Sequence, residues 1–379
     1  MRVAVVHDWL TGMRGGERVL EALLGLFDDV EIFTLLHVPG SVSPKIEAHA
    51  IHTSFLDRLP FREQRYRHLL PAFPAAIERF DLRGFDLIVS SSHCVAKGAI
   101  APAGVPHLCY CHTPMRYVWD QYDNYFAPGR ASPAVRLGMR FAAGRLRRWD
   151  TETANRPTVV LANSSHVRDR VNRYWRRDAA VVYPPVDVDR FRPSRREDFY
   201  LAVSALVPYK RLDIAVEAFA QSGRRLIVVG DGPEYDRLAR LNGRCTEFTG
   251  RLGDHDVADL MGRCRAFVLP GEEDFGIAAV EAQAAGAPVI ALGRGGALET
   301  VVGARLETPP FPTLGAGIDA GPPTGIFFDE PTPASLLAAV NVFESLSFDP
   351  AALRVNAHRF HPDRFLREMS VWLETLHPA

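Results

Sequence analysis

Lysine is almost absent from this chain. Of its 44 basic Lys and Arg residues, only Lys45, Lys97 and Lys210 are lysine, and all the others are arginine. A G+C-rich codon bias accounts for the imbalance, but it singles out any lysine that falls inside a motif. Cysteine is also scarce. Cys94, Cys109, Cys111, Cys245 and Cys264 form an odd set with no C-x-x-C pair. That pattern excludes a zinc ribbon and argues against a disulfide framework, so a reducing compartment is expected. Net charge is nearly absent as well, at −1, which excludes a globally basic nucleic-acid binder. No apolar run approaches the ~18 residues of a membrane span. The opening run at 2–7 is short and meets Asp8 at once. It reads as a buried strand, not a signal peptide.

What is present is a long alternation of strand and helix patterns. Apolar, β-branched runs stand at 3–6, 30–33, 87–90, 107–110, 159–162 and 181–183, then at 200–203, 226–229, 248–249, 266–269 and 289–291. Amphipathic stretches such as 17–27, 213–221 and 278–285 separate them. Continuous apolar strands divided by helices imply parallel sheets covered on both faces. About eleven strands exceed one comfortable sheet, so two domains are expected. The proline-punctuated segment 184–198 reads as the linker between a domain at 1–183 and one at 199–349. Two helical segments at 350–379 are expected to pack back toward the first domain. The stretch 307–324, with five prolines, reads as an irregular loop.

Four places could carry chemistry. The first strand leads to Gly15 and Gly16 at a helix start, where backbone N–H groups can approach an anion. The spacing is not G-x-G-x-x-G, and a nicotinamide-dependent dehydrogenase is disfavoured. A tight turn explains the pair equally well. Lys210 and Arg211 follow a strand and sit at another helix start. Cations there oppose the helix dipole, so an anionic ligand would explain them. Gly230 and Gly232 form a third glycine turn, and Gly250-Arg251 a further one, both at carboxyl ends of strands. The fourth place is the run from Leu269 through Gly286. Glu273 should lie in a loop and Glu281 two turns inside the next helix. Eight residues apart, they differ by about 80° in azimuth and lie at most about 12 Å apart along a helix. That suits two ends of one polyhydroxylated ligand, each carboxylate accepting hydroxyl hydrogen bonds.

The spacing Glu273-x₇-Glu281 within EEDFGIAAVEAQAAGAPVIA resembles the glutamate motif of retaining GT-B glycosyltransferases of glycosyltransferase family 4, most of all O-antigen mannosyltransferase-like members. GGERVLEAL, CHTPMRYVW, ANSSHVRDRV, VPYKRLDIAVEAF, VGDGPE and GRGGALETV extend the resemblance over most of the chain. It implies two Rossmann-like parallel-sheet domains facing across a cleft. It also implies roles. Glu281 would grip the nucleotide ribose. Glu273 would contact the donor sugar, aided by the backbone of Phe275, Gly276 and Ile277. Lys210 would neutralise the leaving diphosphate, with Arg211, Gly230, Gly232 and Arg251 on the donor side. Gly15 and Gly16 would approach the same phosphates. His112 would sit near the reacting sugar, with Arg116 and Trp119 on the acceptor side. One position departs from the pattern: Ala205 stands where many relatives carry a phosphate-binding arginine.

The resemblance implies transfer of a hexose, mannose first, from a GDP-sugar or other nucleotide sugar to a glycan or polyprenyl-diphosphate-linked acceptor in surface polysaccharide synthesis. A nucleotide-sugar epimerase or hydrolase on the same fold, or an inactive donor-binding subunit, stays open. No cofactor and no metal is expected. Asp187-Val-Asp189 resembles a D-x-D metal motif but lies in the linker, not after a nucleotide-binding strand. No nucleic-acid partner is expected. The basic, amphipathic stretch 130–148, with the basic run 58–68, suits an anionic membrane surface, and a solvated arginine face suits it equally. The expected location is the cytoplasm, with peripheral attachment to the inner face of the cytoplasmic membrane.

Overall fold

The structure, a computed structural model, describes residues 1–60, 66–241, 243–305 and 321–376. Most of the loop expected at 307–324 and part of the basic run 58–68 lie outside the described residues. The chain divides into two compact units, one of Met1–Pro185 with Pro362–Ala379 and the other of Val186–His361.

In the first unit the strands are β1 (Arg2–His7), β2 (Asp29–Thr34), β3 (Ala50–Thr53), β4 (Leu87–Ser92), β5 (His107–Cys111), β6 (Val159–Ala162) and β7 (Ala180–Val181). They form a seven-stranded sheet ordered β3-β2-β1-β4-β5-β6-β7, and all pairs are parallel. Side chains alternate between the faces. Val3, Val5, Leu87 and Val89 pack with Val19, Leu20 and Leu23 of the helix Gly15–Leu24. Ala4, Val6 and Ile88 pack on the other face with Phe73, Ile77 and Leu146. Both faces are thus covered by helices, as continuous apolar strands require.

The second unit repeats the plan with β8 (Tyr200–Val203), β9 (Leu226–Val229), β10 (Thr246–Gly250), β11 (Ala266–Leu269), β12 (Val289–Leu292), β13 (Gly303–Arg305) and β14 (Gly325–Phe328). Its order is β10-β9-β8-β11-β12-β14-β13, again all parallel. The helices Leu212–Ser222 and Pro333–Phe343 cover one face through Phe219, Leu336 and Val340. Two parallel-sheet units are thus present, as the alternation of strand and helix patterns implied.

The boundaries differ from the sequence reading in two places. The segment read as a linker is packed structure from Val186 onward. Val186, Val188 and Phe191 are buried, and the Val186 N–H donates to the Phe360 carbonyl at 2.9 Å. The tail also splits. The helix Pro350–His358 belongs to the second unit, where Asn356 Nδ2 donates to Gln283 Oε1 at 2.6 Å and to the Thr300 carbonyl at 2.9 Å. Only from Pro362 does the chain join the first unit, where Phe365 and Met369 of the helix Pro362–Leu376 enter the core beside Val3 and Tyr110.

One of the rare lysines is structural. Lys97 is fully buried. Its Nζ donates to the Asp150 carbonyl and to Thr153 Oγ1, each at 2.7 Å, and lies 3.2 Å from Asp150 Oδ1. It stands over the rings of Trp175 and Trp149 at 4.6 and 5.1 Å. Asp150 Oδ2 accepts from Trp119 Nε1 and Trp175 Nε1, both at 2.8 Å. Lys45, by contrast, is exposed and pairs with Glu21 at 3.2 Å.

β5 opens on a second buried ionisable group. His107 is 1% exposed, its Nε2 bonds Ser90 Oγ at 2.8 Å, and its Nδ1 has no partner. Burial lowers its pKa to about 3, with Lys97 and Arg156 adding to the effect. The unfolded chain, at the ordinary 6.5, therefore binds the extra proton throughout that interval. Stability rises with pH between those values and falls as the solution is acidified below 6.5. The slope reaches about 1.4 kcal/mol per pH unit from this ring. Denaturant unfolding at pH 5 and pH 7 should show the loss, and His107→Leu should remove about one such step from the difference. A pH 5 to pH 7 difference unchanged in the variant would contradict the assignment.

Candidate active site

Open parallel sheets offer a crevice where the strand order reverses. In the first unit that point lies between β1 and β4, in the second between β8 and β11. Gly15 and Gly16 follow β1, and Lys210 and Glu273 follow β8 and β11; His112 follows β5, Gly230 and Gly232 follow β9, and Arg251 follows β10.

In the second unit, β8 runs into a single 3-10 turn, Pro208–Lys210, and Arg211 adopts a left-handed conformation to start the helix Leu212–Ser222. The Lys210 ammonium bonds the carboxylate of Glu273, in the loop after β11. The two side chains are 20% and 14% exposed, so water screens the pair only in part. The loops that carry them touch closely. A Cβ on Gly271 would lie 2.7 Å from the Lys210 carbonyl oxygen. The Glu273 carbonyl in turn accepts from the Gly296 N–H at 2.8 Å. Gly276, at φ 93°, starts the helix Ile277–Ala284 with no side-chain cap. Its first-turn N–H groups, including that of Ile277, are thus oriented as an anion site. Phe275 is buried and packs edge-on to Phe360 at 5.2 Å.

Glu281 lies inside that helix, and its partner was not visible in the sequence. Arg190 Nη2 donates to Glu281 Oε1 at 2.9 Å, while Nη1 donates to Asp254 Oδ2 at 2.9 Å. Each of the two spaced glutamates thus holds its own cation. The remaining donor-side residues divide. Gly230 and Gly232 are required by close packing, since a Cβ would lie 1.9 Å from the Ser204 oxygen and 2.4 Å from the Leu206 oxygen. Arg211 turns its Nε toward Asp213 at 3.2 Å. Arg251 and Ala205 are exposed. Asp189 of the D-x-D sequence pairs with His361 at 3.1 Å.

In the first unit, His7 and Ser91 are register partners on β1 and β4. His7 Nδ1 lies 3.1 Å from Ser91 Oγ, and Ser91 Oγ lies 2.8 Å from His112 Nε2. His112 follows β5, where its N–H donates to the Ser92 carbonyl at 2.8 Å. Gly16 faces both rings: a Cβ there would lie 3.8 Å from His7 Cε1 and 4.0 Å from His112 Nε2. Gly15 opens the helix, and Glu17 caps it by accepting from the Arg14 N–H at 3.0 Å. Glu17 Oε1 also lies 3.9 Å from His7 Nε2. Burial pushes the Glu17 carboxyl up, but His7, His93 and Arg14 more than offset this and hold it below its ordinary value. Asp8, fully buried, accepts four backbone hydrogen bonds, from 93 and 94 on Oδ2 and from 95 and 96 on Oδ1, at 2.6 to 2.9 Å. It clamps the turn after β4 in one conformation. His93 Nδ1 stands 3.2 Å from Asp8 Oδ2, and burial, followed by the charge of His7, lowers His93 to about 3. Arg116 is half-buried. Trp119 is committed to structure: its N–H is spent on Asp150, and its ring stacks on Tyr174 at 4.6 Å.

A glycosyltransferase family 4 model matches residues 14–190, and a glycosyl transferases group 1 model matches residues 187–359. The chain carries two glycosyltransferase domains. An uncharacterized glycosyltransferase of Methanocaldococcus jannaschii is 30% identical over 148 residues, which are 38% of this chain and 42% of that protein. A GDP-mannose-dependent alpha-(1-6)-phosphatidylinositol monomannoside mannosyltransferase of Mycobacterium tuberculosis is 34% identical over 176 residues, 38% of this chain and 46% of that protein. The chain thus spans less than half the length of these curated relatives. Among solved structures, HepE of Anabaena in complex with UDP superposes with a TM-score of 0.68 at 18% identity, covering 99% of this chain and 100% of that one. Among the described residues, no helix is long and apolar enough to cross a membrane.

Proposed function

We propose that this glycosyltransferase-domain protein moves a hexose from a nucleotide-diphosphate sugar to an acceptor hydroxyl with retention of anomeric configuration. The first choice of donor is GDP-mannose, and the acceptor a glycan or polyprenyl-diphosphate-linked chain in surface polysaccharide synthesis. The observation that carries the reading is the Lys210–Glu273 pair at the β8/β11 switch point, beside an uncapped helix that holds Glu281. The cation and the helix N–H groups suit a diphosphate, and the two carboxylates suit hydroxyls. The GDP-mannose dependence of one relative and the UDP bound to one structural neighbour support the donor class.

In this mechanism, arrival of the donor draws Lys210 from Glu273 to the diphosphate. Glu273 is then released to accept sugar hydroxyls, and Glu281 accepts from the ribose. As the glycosidic bond breaks, negative charge grows on the leaving phosphate, which Lys210 and the first-turn N–H groups of the helix Ile277–Ala284 stabilise. The acceptor oxygen bonds the anomeric carbon from the same face, and the leaving phosphate takes the acceptor proton. No metal and no cofactor is invoked. Proton NMR of the product formed in excess chelator tests the reading. The donor's anomeric configuration should persist. An inverted product, or turnover without an acceptor as an epimerase or hydrolase would show, would overturn it.

Membrane attachment rests on the helix Pro133–Glu152. Leu137 and Phe141 are 57% and 72% exposed. Arg145 continues their i, i+4 row, Arg148 lies on the same face seven residues beyond Phe141, and Arg140 stands beside it, all exposed. Exposed apolar groups among arginines suit an anionic lipid surface. Sedimentation with anionic vesicles should exceed that with neutral ones, and Phe141→Ser should weaken it about tenfold. Equal binding to both vesicle types would leave a solvated arginine face.

A further inference from the structure

We propose that Glu17, His7 and Ser91 form a hydrogen-bonded relay that fixes the tautomer of His112, holding its ring proton on Nε2 and its lone pair on Nδ1. The proposal rests on the reading of His112 as substrate-facing.

The relay is read from four adjoining groups. Ser91 Oγ lies between two imidazole nitrogens, His7 Nδ1 at 3.1 Å and His112 Nε2 at 2.8 Å. A hydroxyl has one proton. It can donate to one of these nitrogens only, and the other must then donate to the hydroxyl oxygen. With both rings neutral, the two tautomers are therefore coupled. His7 cannot protonate its Nδ1 without forcing His112 Nε2 to be bare. The far end of His7 breaks the tie. Its Nε2 is buried, lacks a hydrogen-bond partner, and faces the Glu17 carboxylate at 3.9 Å. A lone pair pointed at a buried carboxylate is repelled, whereas an N–H pointed there is attracted. His7 therefore carries its proton on Nε2 and accepts at Nδ1. Ser91 donates to His7, and His112 Nε2–H donates to Ser91. The lone pair of His112 falls on Nδ1, the state that accepts a hydrogen bond from a hydroxyl.

The surroundings keep the relay in place. His7 and Ser91 are register partners and both are fully buried. His93 lies beside the rings, with centroids 5.8 Å from His7 and 6.3 Å from His112, but its Nδ1 faces Asp8 and stays outside the relay. Tyr110 packs edge-on to His112 at 5.3 Å, with its hydroxyl donated to the Val182 carbonyl. Glu17, His7 and Ser91 act here as positioning residues, acting through the ring of His112.

Long-range proton–nitrogen spectra of the full chain, labelled with ¹⁵N-histidine at pH 8, read the tautomers directly, with His112→Asn assigning the signals. His112 should show a protonated Nε2 and a bare Nδ1. Glu17→Gln is close to isosteric. Its carbonyl oxygen can still accept from Arg14, while its amide donates to His7 Nε2. The relay should then reverse, and His112 should carry the proton on Nδ1. In Ser91→Ala, which uncouples the rings, His112 should populate both tautomers. In sugar transfer, Glu17→Gln should lower kcat about 10- to 100-fold, the worth of one charge-assisted hydrogen bond, with donor KM unchanged. A wild-type His112 protonated on Nδ1, or a tautomer indifferent to both substitutions, would overturn the proposal. A tautomer that reverses with kcat unchanged would uphold the relay and remove His112 from the substrate.

Discussion

Lys210→Ala should lower kcat by about 10²–10³, the worth of one preorganised charge donor at a developing oxyanion. The effect should fall on kcat more than on donor affinity, because the charge on the leaving phosphate reaches its full size only as the bond breaks. The Glu273 partner sharpens the expectation. The Lys210 ammonium bonds the Glu273 carboxylate. Its removal therefore also leaves a largely buried carboxylate without its cation, facing a dianionic ligand. Lys210→Arg should recover only part of the loss. A planar guanidinium differs in reach and shape from the compact ammonium that must move from Glu273 to the phosphate, and the close approach of Gly271 to the Lys210 backbone leaves the two loops little freedom to adjust. Steady-state kinetics with folding checked by circular dichroism decides the matter. A kcat within threefold of wild type would remove Lys210 from the phosphate.

Lys97→Met should destabilise the first unit by about 3–5 kcal/mol, the usual cost of leaving one member of a buried ion pair alone. Asp150 would keep its two indole donors and lose its only counter-charge among the described partners. Lys97→Met with Asp150→Leu should recover part of that loss, since an apolar replacement leaves no buried charge. The recovery should be incomplete, because Trp119 and Trp175 would then have lost the acceptor for their N–H groups. Denaturant midpoints of the single and double variants measure both steps. A double variant less stable than Lys97→Met alone would show that the pair contributes chiefly through the indoles.

Both sheets were legible in the sequence because their central strands are unbroken apolar runs bounded by glycine or polar turns. The edges were not. β3, Ala50–Thr53, has only Ile51 partly buried, so it carries no apolar run. β13 and β14 are three and four residues long, on either side of the proline-rich stretch. The linker was misread because its prolines suppress helical period without preventing burial, and Phe191 is fully enclosed. Arg190 was missed for the same reason: it lay in a segment read as connecting chain, while its partner Glu281 is 91 residues away. Of the residues placed by motif, Gly15, Gly16, Lys210 and Glu273 follow strands at the two switch points, whereas Gly230, Gly232, Arg251 and Trp119 do not. What the motifs could not convey is which side chains are bound to each other. Ser91 reaches His7 and His112 only because β1, β4 and β5 align in register. Trp119 sits in a motif near His112, yet Asp150 claims its N–H across 31 residues. The scarcity of lysine was informative in two ways, since one lysine holds Glu273 and another is the cation at the centre of a tryptophan cage.

Calorimetric titration of wild type, Lys210→Ala and Glu281→Ala with GDP-, UDP- and ADP-sugars tests the central claim most directly, because it needs no knowledge of the acceptor. One nucleotide sugar, GDP-mannose first, should bind the wild type well above the others. Glu281→Ala should weaken it at least tenfold through loss of the ribose hydrogen bonds. Lys210→Ala should weaken it less than it slows transfer. No binding of any nucleotide sugar, or equal binding by wild type and Glu281→Ala, would contradict a donor site built on β8 and β11.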